Sequence, residues 1–276
     1  MKNITLLASW GFEKAKGKYY CPSMHYLYIK YIVTIFAKVY LITPVKNSDN
    51  SNIKKTSVDF ENLEIIEMPF SKGYIDSLKN KNCYKKAIKE LNNKVDLFYC
   101  GVPDPFSWMP AKYTDKPTIM HFVGDIIEAT KQNINFSVFK KAILMFGFLP
   151  ERRRIEKSAK KSKVYTNGMH LAKRLQRKGI TASPVISSTV SINELAITFH
   201  PLQNNPFRLI YVGYLRYAKG MDTLMELLLK LKSFSLEFIF DIVGEGEMHD
   251  TISKFIIDND LEHKVILHGH IDEREK

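Results

Sequence analysis

Residues 205–224 read NPFRLIYVGYLRYAKGMDTL, and residues 238–252 read FIFDIVGEGEMHDTI. The first stretch is an apolar run, a glycine, a loop holding Arg216 and Lys219, and then apolar positions at helical spacing. The second is another apolar run ending in a turn at Gly244 and Gly246. Strand, glycine turn, helix, strand, glycine turn is the cadence of an open α/β unit with right-handed crossovers. It places two cations and a glycine-opened backbone at the carboxyl end of a parallel strand, where open α/β sheets bind phosphorylated ligands.

Outward from this stretch the same alternation continues. Downstream, Met248–Asp258 reads as a helix and Val265–Leu267 as a strand. Upstream, residues 193–206 contain Pro201, Asn204, Asn205 and Pro206 and read as a linker. The first 192 residues form their own series. Strands are expected at Ile4–Ala8, Val39–Thr43 (ended by Pro44), Leu63–Met68, Val95–Cys100, Thr118–Val123, Val164–Thr166 and Val185–Val190. Helices are expected at Ser23–Ala37 and Tyr74–Asn92, one or two over Phe136–Lys161, and one at Met169–Lys178 with Asn167 as its cap and Gly179 as its stop. WGFEKAKGK, after the first strand, reads as a polar loop flanked by Gly11 and Gly17. The fold class is α/β, with two Rossmann-like domains: 1–192, then the linker 193–206, then 207–276.

The net charge of +12 is uneven: residues 1–206 carry +16 and residues 207–276 carry −4. A basic first domain favours an anionic partner, such as a lipid surface or a phosphorylated substrate, or else is a solvated lysine-rich surface. No nucleic-acid-binding motif is present. Cys21, Cys83 and Cys100 are too scattered for a zinc site and odd in number, which suits a reducing cytoplasm. No signal peptide is read at the N-terminus, and no apolar stretch reaches the roughly 20 residues of a membrane span.

VGYLRYAKGMDTL, IVGEGEMHDTI and VILHGHI resemble the start of the C-terminal domain of GT-B glycosyltransferases, most closely the retaining enzymes of family 4 (glycosyl transferases group 1). KPTIMHFVGD and VYTNGMHLAKRL carry a looser resemblance in the first domain. The resemblance implies two Rossmann-like domains facing a cleft, with the acceptor mainly on the first and the nucleotide-sugar donor on the second. It implies a hexosyltransferase-like enzyme that builds a cell-surface polysaccharide, lipopolysaccharide or capsule, with no cofactor or metal beyond the nucleotide-sugar itself. Gly213, Arg216 and Lys219 would hold the donor diphosphate, with Tyr214 where the family often has Arg. Gly244 and Gly246 would lie near the nucleotide, or simply form a tight turn. His121 and Asp125, at the end of TIMHFVGD, would face the transferred sugar. Residue chemistry alone also allows a core histidine and a helix cap there.

Lys14, Lys16 and Lys18 could meet an anionic acceptor or solvent. Phe136, Phe139, Ile143 and Phe146 precede Arg152, Arg153, Arg154, Lys157, Lys160, Lys161 and Lys163. Aromatics joined to a basic cluster can rest on an anionic membrane, and the plainer alternative is a core helix followed by a solvated basic one. A location in the cytoplasm, or peripheral at the inner membrane face, follows.

The family's second domain normally continues for about another 100 residues and includes a two-glutamate E-x7-E motif that the 276 residues do not contain. The second domain is therefore expected to be incomplete, and transfer by this chain weak or absent. Two alternatives stay open: a non-catalytic remnant or interaction module, and a GT-B sugar-nucleotide epimerase.

Overall fold

The structure, a computed structural model, describes residues 1–48, 55–133, 136–186, 206–234 and 237–271. The chain divides into two compact units. Met1–Lys131 and Val138–Leu195 form the first; Gln132–Ser137 and Ala196–Lys276 form the second. Of the expected linker, residues 193–205 lie outside the described residues, as do residues 187–190 of the strand expected at Val185–Val190.

Unit 1 runs β1 (Asn3–Leu7), β2 (Phe12–Ala15), β3 (Lys18–Cys21), α1 (Ser23–Ile35), β4 (Lys38–Asn47), β5 (Thr56–Val58), β6 (Leu63–Pro69), α2 (Tyr74–Ser77), α3 (Lys81–Leu91), β7 (Leu97–Val102), α4 (Pro110–Tyr113), β8 (Thr118–Phe122), α5 (Ile126–Gln132), α6 (Val138–Ala159), β9 (Lys163–Asn167), α7 (Met169–Gln176) and β10 (Ser183–Val185). Seven strands, in the order β10-β9-β8-β7-β1-β4-β6, make a fully parallel sheet. Such a sheet is covered on both faces, so its strands read as near-continuous apolar runs. Leu7, Ile42, Phe98 and Met120 enter one core; Leu6, Leu41, Val39 and Ile29 enter the other.

Sequence order reverses at β1, which has β4 on one side and β7 on the other. The carboxyl ends of β1 and β7 therefore form a topological switch point, where open α/β sheets leave a crevice.

Three local expectations are corrected. Pro44 does not end its strand; β4 continues to Asn47. The last pair of β1 with β4 is Leu7–Ile42, and β2 begins pairing at Phe12–Val45. Pro44 sits at the gap between them, so its missing N–H removes no ladder bond. The polar loop after β1 is a hairpin, β2–β3, whose turn places Lys16 and Gly17 at φ 49° and 77°. Positive φ at both turn residues matches the twist of the flanking strands. Lys14, on this hairpin, is held by Glu67 at 2.7 Å. The basic helix expected at Tyr74–Asn92 is three pieces: α2, a 3₁₀ turn at Leu78–Asn80, and α3.

The helix over Phe136–Lys161 is continuous as α6, but its sides are reversed from the plain expectation. The apolar amino half is exposed: Val138 85%, Phe139 76%, Phe146 72%. The basic carboxyl half carries the buried stripe Phe148, Glu151, Ile155, Ser158 and Ala159. That stripe follows the 3.6-residue period. Among the described residues no helix is long and apolar enough to cross a membrane.

Unit 2 contains β11 (Phe207–Val212), α8 (Met221–Ser233), β12 (Phe238–Val243), α9 (His249–Asp258) and β13 (Val265–Gly269). The strands are parallel in the order β11-β12-β13. Met221, Leu224 and Leu228 from α8 and Ile252 and Ile256 from α9 pack on Phe238, Phe240 and Ile242. Ile210 and Val212, on β11, are 66% and 70% exposed.

Candidate functional site

The switch point of unit 1 is occupied by polar groups. Ser9 follows β1, and Asp104 lies in the loop after β7. The Ser9 amide donates to Asp104 Oδ2 at 2.9 Å. A side chain at Gly101 would meet that same oxygen at 2.8 Å, so Gly101 makes the room for the carboxylate. Asp104 is enclosed by protein on most sides and open to a cavity on one. Burial pushes its carboxyl up to about 6, against the opposing pull of the Ser9 hydrogen bonds.

That cavity, about 370 Å³, has a polar end and an aromatic wall. Trp10 stacks on His25, with ring centroids 5.2 Å apart and planes 4° from parallel; Tyr28 lies 6.4 Å from Trp10. Ser9, Asp104, His121 and Asn167 supply the polar groups.

His121 projects from β8 into this cavity. Asn167 Oδ1 lies 2.8 Å from His121 Nε2, and Tyr99 Oη lies 2.5 Å from Nδ1. An amide oxygen only accepts, so Nε2 carries the proton and Nδ1 accepts from the tyrosine hydroxyl. Burial holds the imidazole below its ordinary pKa, with the Asn167 hydrogen bond pulling the other way. His121 is thus a fixed neutral imidazole.

Two sequence expectations change here. Asn167 does not cap α7; the cap position is Gly168, at φ 80° with no side-chain hydrogen bond. Asn167 serves His121 instead. Asp125 is also not brought together with His121. Its Oδ1 accepts from the amides of Ile127 and Glu128 at 2.8 and 3.2 Å, capping α5. Its Oδ2 pairs with Arg174 at 2.8 Å. Asp125 lines a different, smaller cavity of about 50 Å³ with Arg152, Glu156 and Arg174. The carboxylate that shares the cavity with His121 is Asp104. Sequence reasoning missed it because Asp104 sits in an irregular loop among Pro103, Pro105 and Pro110, with no motif around it. The strand order that makes that loop a switch point was the one available signal.

In unit 2 the two glycine turns lie against each other. The Gly213 amide donates to the Val243 carbonyl at 3.0 Å, Leu215 N–H to Glu245 O at 3.0 Å, and Met248 N–H to Leu215 O at 2.9 Å. A Cβ on Gly244 would lie 1.9 Å from the Gly213 carbonyl oxygen, and one on Gly246 2.4 Å from that of Leu215. These glycines permit the close backbone approach of one turn to the other. Beyond Gly213 the loop holds Arg216, whose guanidinium lies 4.9 Å from the Tyr214 ring centroid. Tyr214, in the place where the resembled family often has arginine, is thus a platform for the arginine two residues on. Lys219 closes the 3₁₀ turn Tyr217–Lys219 just before α8. Both cations are exposed, and among the described residues neither forms an ion pair.

Residues 194–276 match the family model described as glycosyl transferases group 1. This segment is similar to the group 1 glycosyltransferases. Solved structures extend the likeness in fold to the whole chain. The lipopolysaccharide outer core galactosyltransferase WaaB, in its apo form, is 14% identical with a TM-score of 0.60, over 100% of this chain and 70% of that one. Alr3699/HepE of Anabaena, solved in complex with UDP and glucose, is 14% identical with a TM-score of 0.58, over 99% and 70%. WaaG, a glycosyltransferase involved in lipopolysaccharide biosynthesis, is 12% identical with a TM-score of 0.58, over 98% and 71%. No curated protein matches the chain by sequence. The GT-B fold expected from VGYLRYAKG is therefore the fold of this chain, which spans about 70% of the length of these solved structures. Gly213, Arg216, Lys219, Gly244 and Gly246 all fall inside the matched segment.

Proposed function

We propose that the chain moves a sugar from a nucleotide-sugar donor to a glycan or lipid-linked acceptor in cell-surface polysaccharide synthesis. The observation that carries this reading is the pair Arg216 and Lys219, exposed and, among the described residues, without carboxylate partners, beyond the Gly213 turn at the carboxyl end of β11. A departing nucleoside diphosphate develops negative charge that needs fixed cations. Arg216 offers a planar fork and Lys219 a point charge for its oxygens. That HepE was solved with UDP and glucose, and that WaaB and WaaG are named for lipopolysaccharide, supports the donor class and the glycan task.

The unit 1 cavity suits an acceptor sugar. Aromatic faces such as Trp10 and Tyr28 stack on the C–H face of a pyranose, while Asp104 hydrogen-bonds its hydroxyls. Asp104 can accept from the attacking hydroxyl, and His121, with both ring nitrogens engaged, holds Tyr99 and Asn167 in place on the cavity wall. Retention of configuration rests on the family resemblance. The exposed amino half of α6, with Phe139, Ile143 and Phe146 beside Lys140 and Lys141, supports a peripheral hold on an anionic inner membrane face.

Calorimetry with a panel of nucleoside diphosphates and nucleotide-sugars tests the donor site, with Arg216→Ala and Lys219→Ala alongside. Saturable binding that weakens about tenfold or more in each variant is expected. An absence of binding by the folded chain overturns the donor assignment and favours a non-catalytic module.

A further inference from the structure

Between α4 and the carboxyl half of α6 lies another cavity, of about 340 Å³. Trp108, Lys112, Arg154, Lys157, Ser158 and Lys161 line it. Both helices lead into the amino ends of strands β8 and β9, so this cavity is not part of the crevice at the carboxyl ends of β1 and β7.

Its charge is one-sided. Arg154, Lys157 and Lys161 stand at i, i+3 and i+7, a single stripe along α6, and Lys112 faces them from α4. Of the two acids of α6, Glu151 meets one cavity cation, Arg154, and Glu156 is engaged away from the cavity. Glu151 is buried and accepts from the Phe106 amide at 3.0 Å, leaving Oε2 3.4 Å from Arg154. Glu156 pairs with Arg152 at 2.9 Å and with Lys178. Among the described residues, Lys112, Lys157 and Lys161 form no ion pair with a carboxylate. Cations bunched this way repel one another along a helix rather than stabilise it.

The cavity is also partly ordered for a ligand. Lys112 and Arg154 lie over the Trp108 ring, 5.5 and 5.2 Å from its centroid, which limits their wandering. Trp108 is 1% exposed, held at its carbonyl by the Ser158 hydroxyl at 3.1 Å. Its indole N–H finds no acceptor among the described residues. A buried donor without a partner is rare and costly. The wall itself offers four cations.

We propose that this cavity binds a phosphate group, at a site separate from the donor and acceptor sites. A tetrahedral phosphate accepts from several donors at once, and lysines are point-charge ligands for it. The group can belong to a small soluble phosphate or to the headgroup of an anionic lipid; the recognition chemistry is the same.

The test uses the full chain at low ionic strength. Inorganic phosphate and glycerol 3-phosphate are titrated by calorimetry. Vesicles of phosphatidylglycerol in phosphatidylcholine, against phosphatidylcholine alone, are assayed by co-sedimentation. The variants are Lys157→Ala with Lys161→Ala, the charge-keeping Lys157→Arg with Lys161→Arg, and Arg216→Ala with Lys219→Ala. A circular-dichroism melt verifies folding.

Saturable binding of the soluble phosphates, weakened about tenfold or more by the alanine pair, is the expected result for a soluble ligand. Binding to anionic vesicles alone, lost in the same pair, is the expected result for a lipid headgroup. In either case the arginine pair restores binding, and the Arg216 and Lys219 variant leaves it unchanged, which separates this site from the donor site. The proposal is overturned if no probe binds the folded chain, or if binding is equal in the alanine pair.

Discussion

Asp104 and Ser9 join the two strands at which the sheet of unit 1 reverses its order. The Ser9 amide, just past β1, donates to the Asp104 carboxylate, just past β7, at 2.9 Å. This bond fixes a partly desolvated carboxylate where a parallel sheet leaves its crevice, and its energetics can be measured.

Burial pushes Asp104 up to about 6 from the ordinary carboxylate value. Below pH 4 both folded and unfolded chains hold the proton, and nothing is lost. Between pH 4 and 6 the unfolded chain releases it and the folded chain does not, so this group costs more stability as pH rises. Above pH 6 the cost levels, on the order of 3 kcal/mol. Asp104→Asn keeps an acceptor for Ser9 without the charge. Its melting temperature relative to the parent should climb from pH 4 to 6 and then stay level. A difference flat across that range would show that Asp104 is not held neutral by burial.

His121 is expected as the Nε2–H tautomer over the neutral range, seen in nitrogen chemical shifts. Burial holds its pKa down, so its contribution to stability is full above the ordinary histidine pKa and is lost as pH falls through and below it. Asn167→Asp places a carboxylate 2.8 Å from Nε2 and should raise the His121 pKa by about one unit or more. An NMR titration reads this directly. An unmoved pKa would mean that Asn167 does not contact the ring.

Gly244→Ala should unfold the turn that follows β12. Its Cβ would lie 1.9 Å from the Gly213 carbonyl oxygen, a backbone atom that cannot swing away, and φ is 139°. A loss of about 3 kcal/mol, with loss of nucleotide binding, is expected in denaturant unfolding. Gly269→Ala is the control: it has φ 67° but nothing closer than Glu245 Oε1 at 4.0 Å. It should cost about 1 kcal/mol, the ordinary penalty of a left-handed residue. Equal effects would show that the contact between the turns does not matter.

β11 pairs only with β12 among the described residues, and Ile210 and Val212 are exposed. An apolar edge strand is a template for association. Ile210→Lys with Val212→Lys should lower the concentration-dependent aggregation of the chain, read by light scattering. Aggregation unchanged by the pair would place the sticky surface elsewhere, with the amino half of α6 next to be tested.

Much of the fold was legible in the sequence. Apolar runs of strand length, each followed by a helix-period segment, required parallel units, and the glycines at 213, 244 and 246 marked the turns. Local chemistry sufficed because each of these signals is written within about ten residues. It failed where a residue's partner lay far along the chain. Pro44 reads as a strand end until the gap between β1 and β2 is seen. WGFEKAKGK reads as a loop until its Lys16–Gly17 turn closes a hairpin. Asn167 reads as a cap until His121, 46 residues away, takes its amide oxygen.

The sequence by itself determined the class of the chain, its strand–helix alternation, and the cationic loop after Gly213, because periodicity and turn chemistry are local. Tertiary structure alone decided which carboxylate joins His121. Asp104 and Asp125 both follow strands, and in sequence only Asp125 stands out. Sheet order puts one at the switch point, desolvated and facing a cavity. Helix geometry gives the other two backbone amides and an arginine, which hold it as a cap. The same holds for α6, whose composition suggested an apolar amino half in the core. Packing buried the basic half instead, because the buried stripe Phe148, Glu151, Ile155 and Ser158 lies on the one face of that half turned toward the core, leaving its cations on the other.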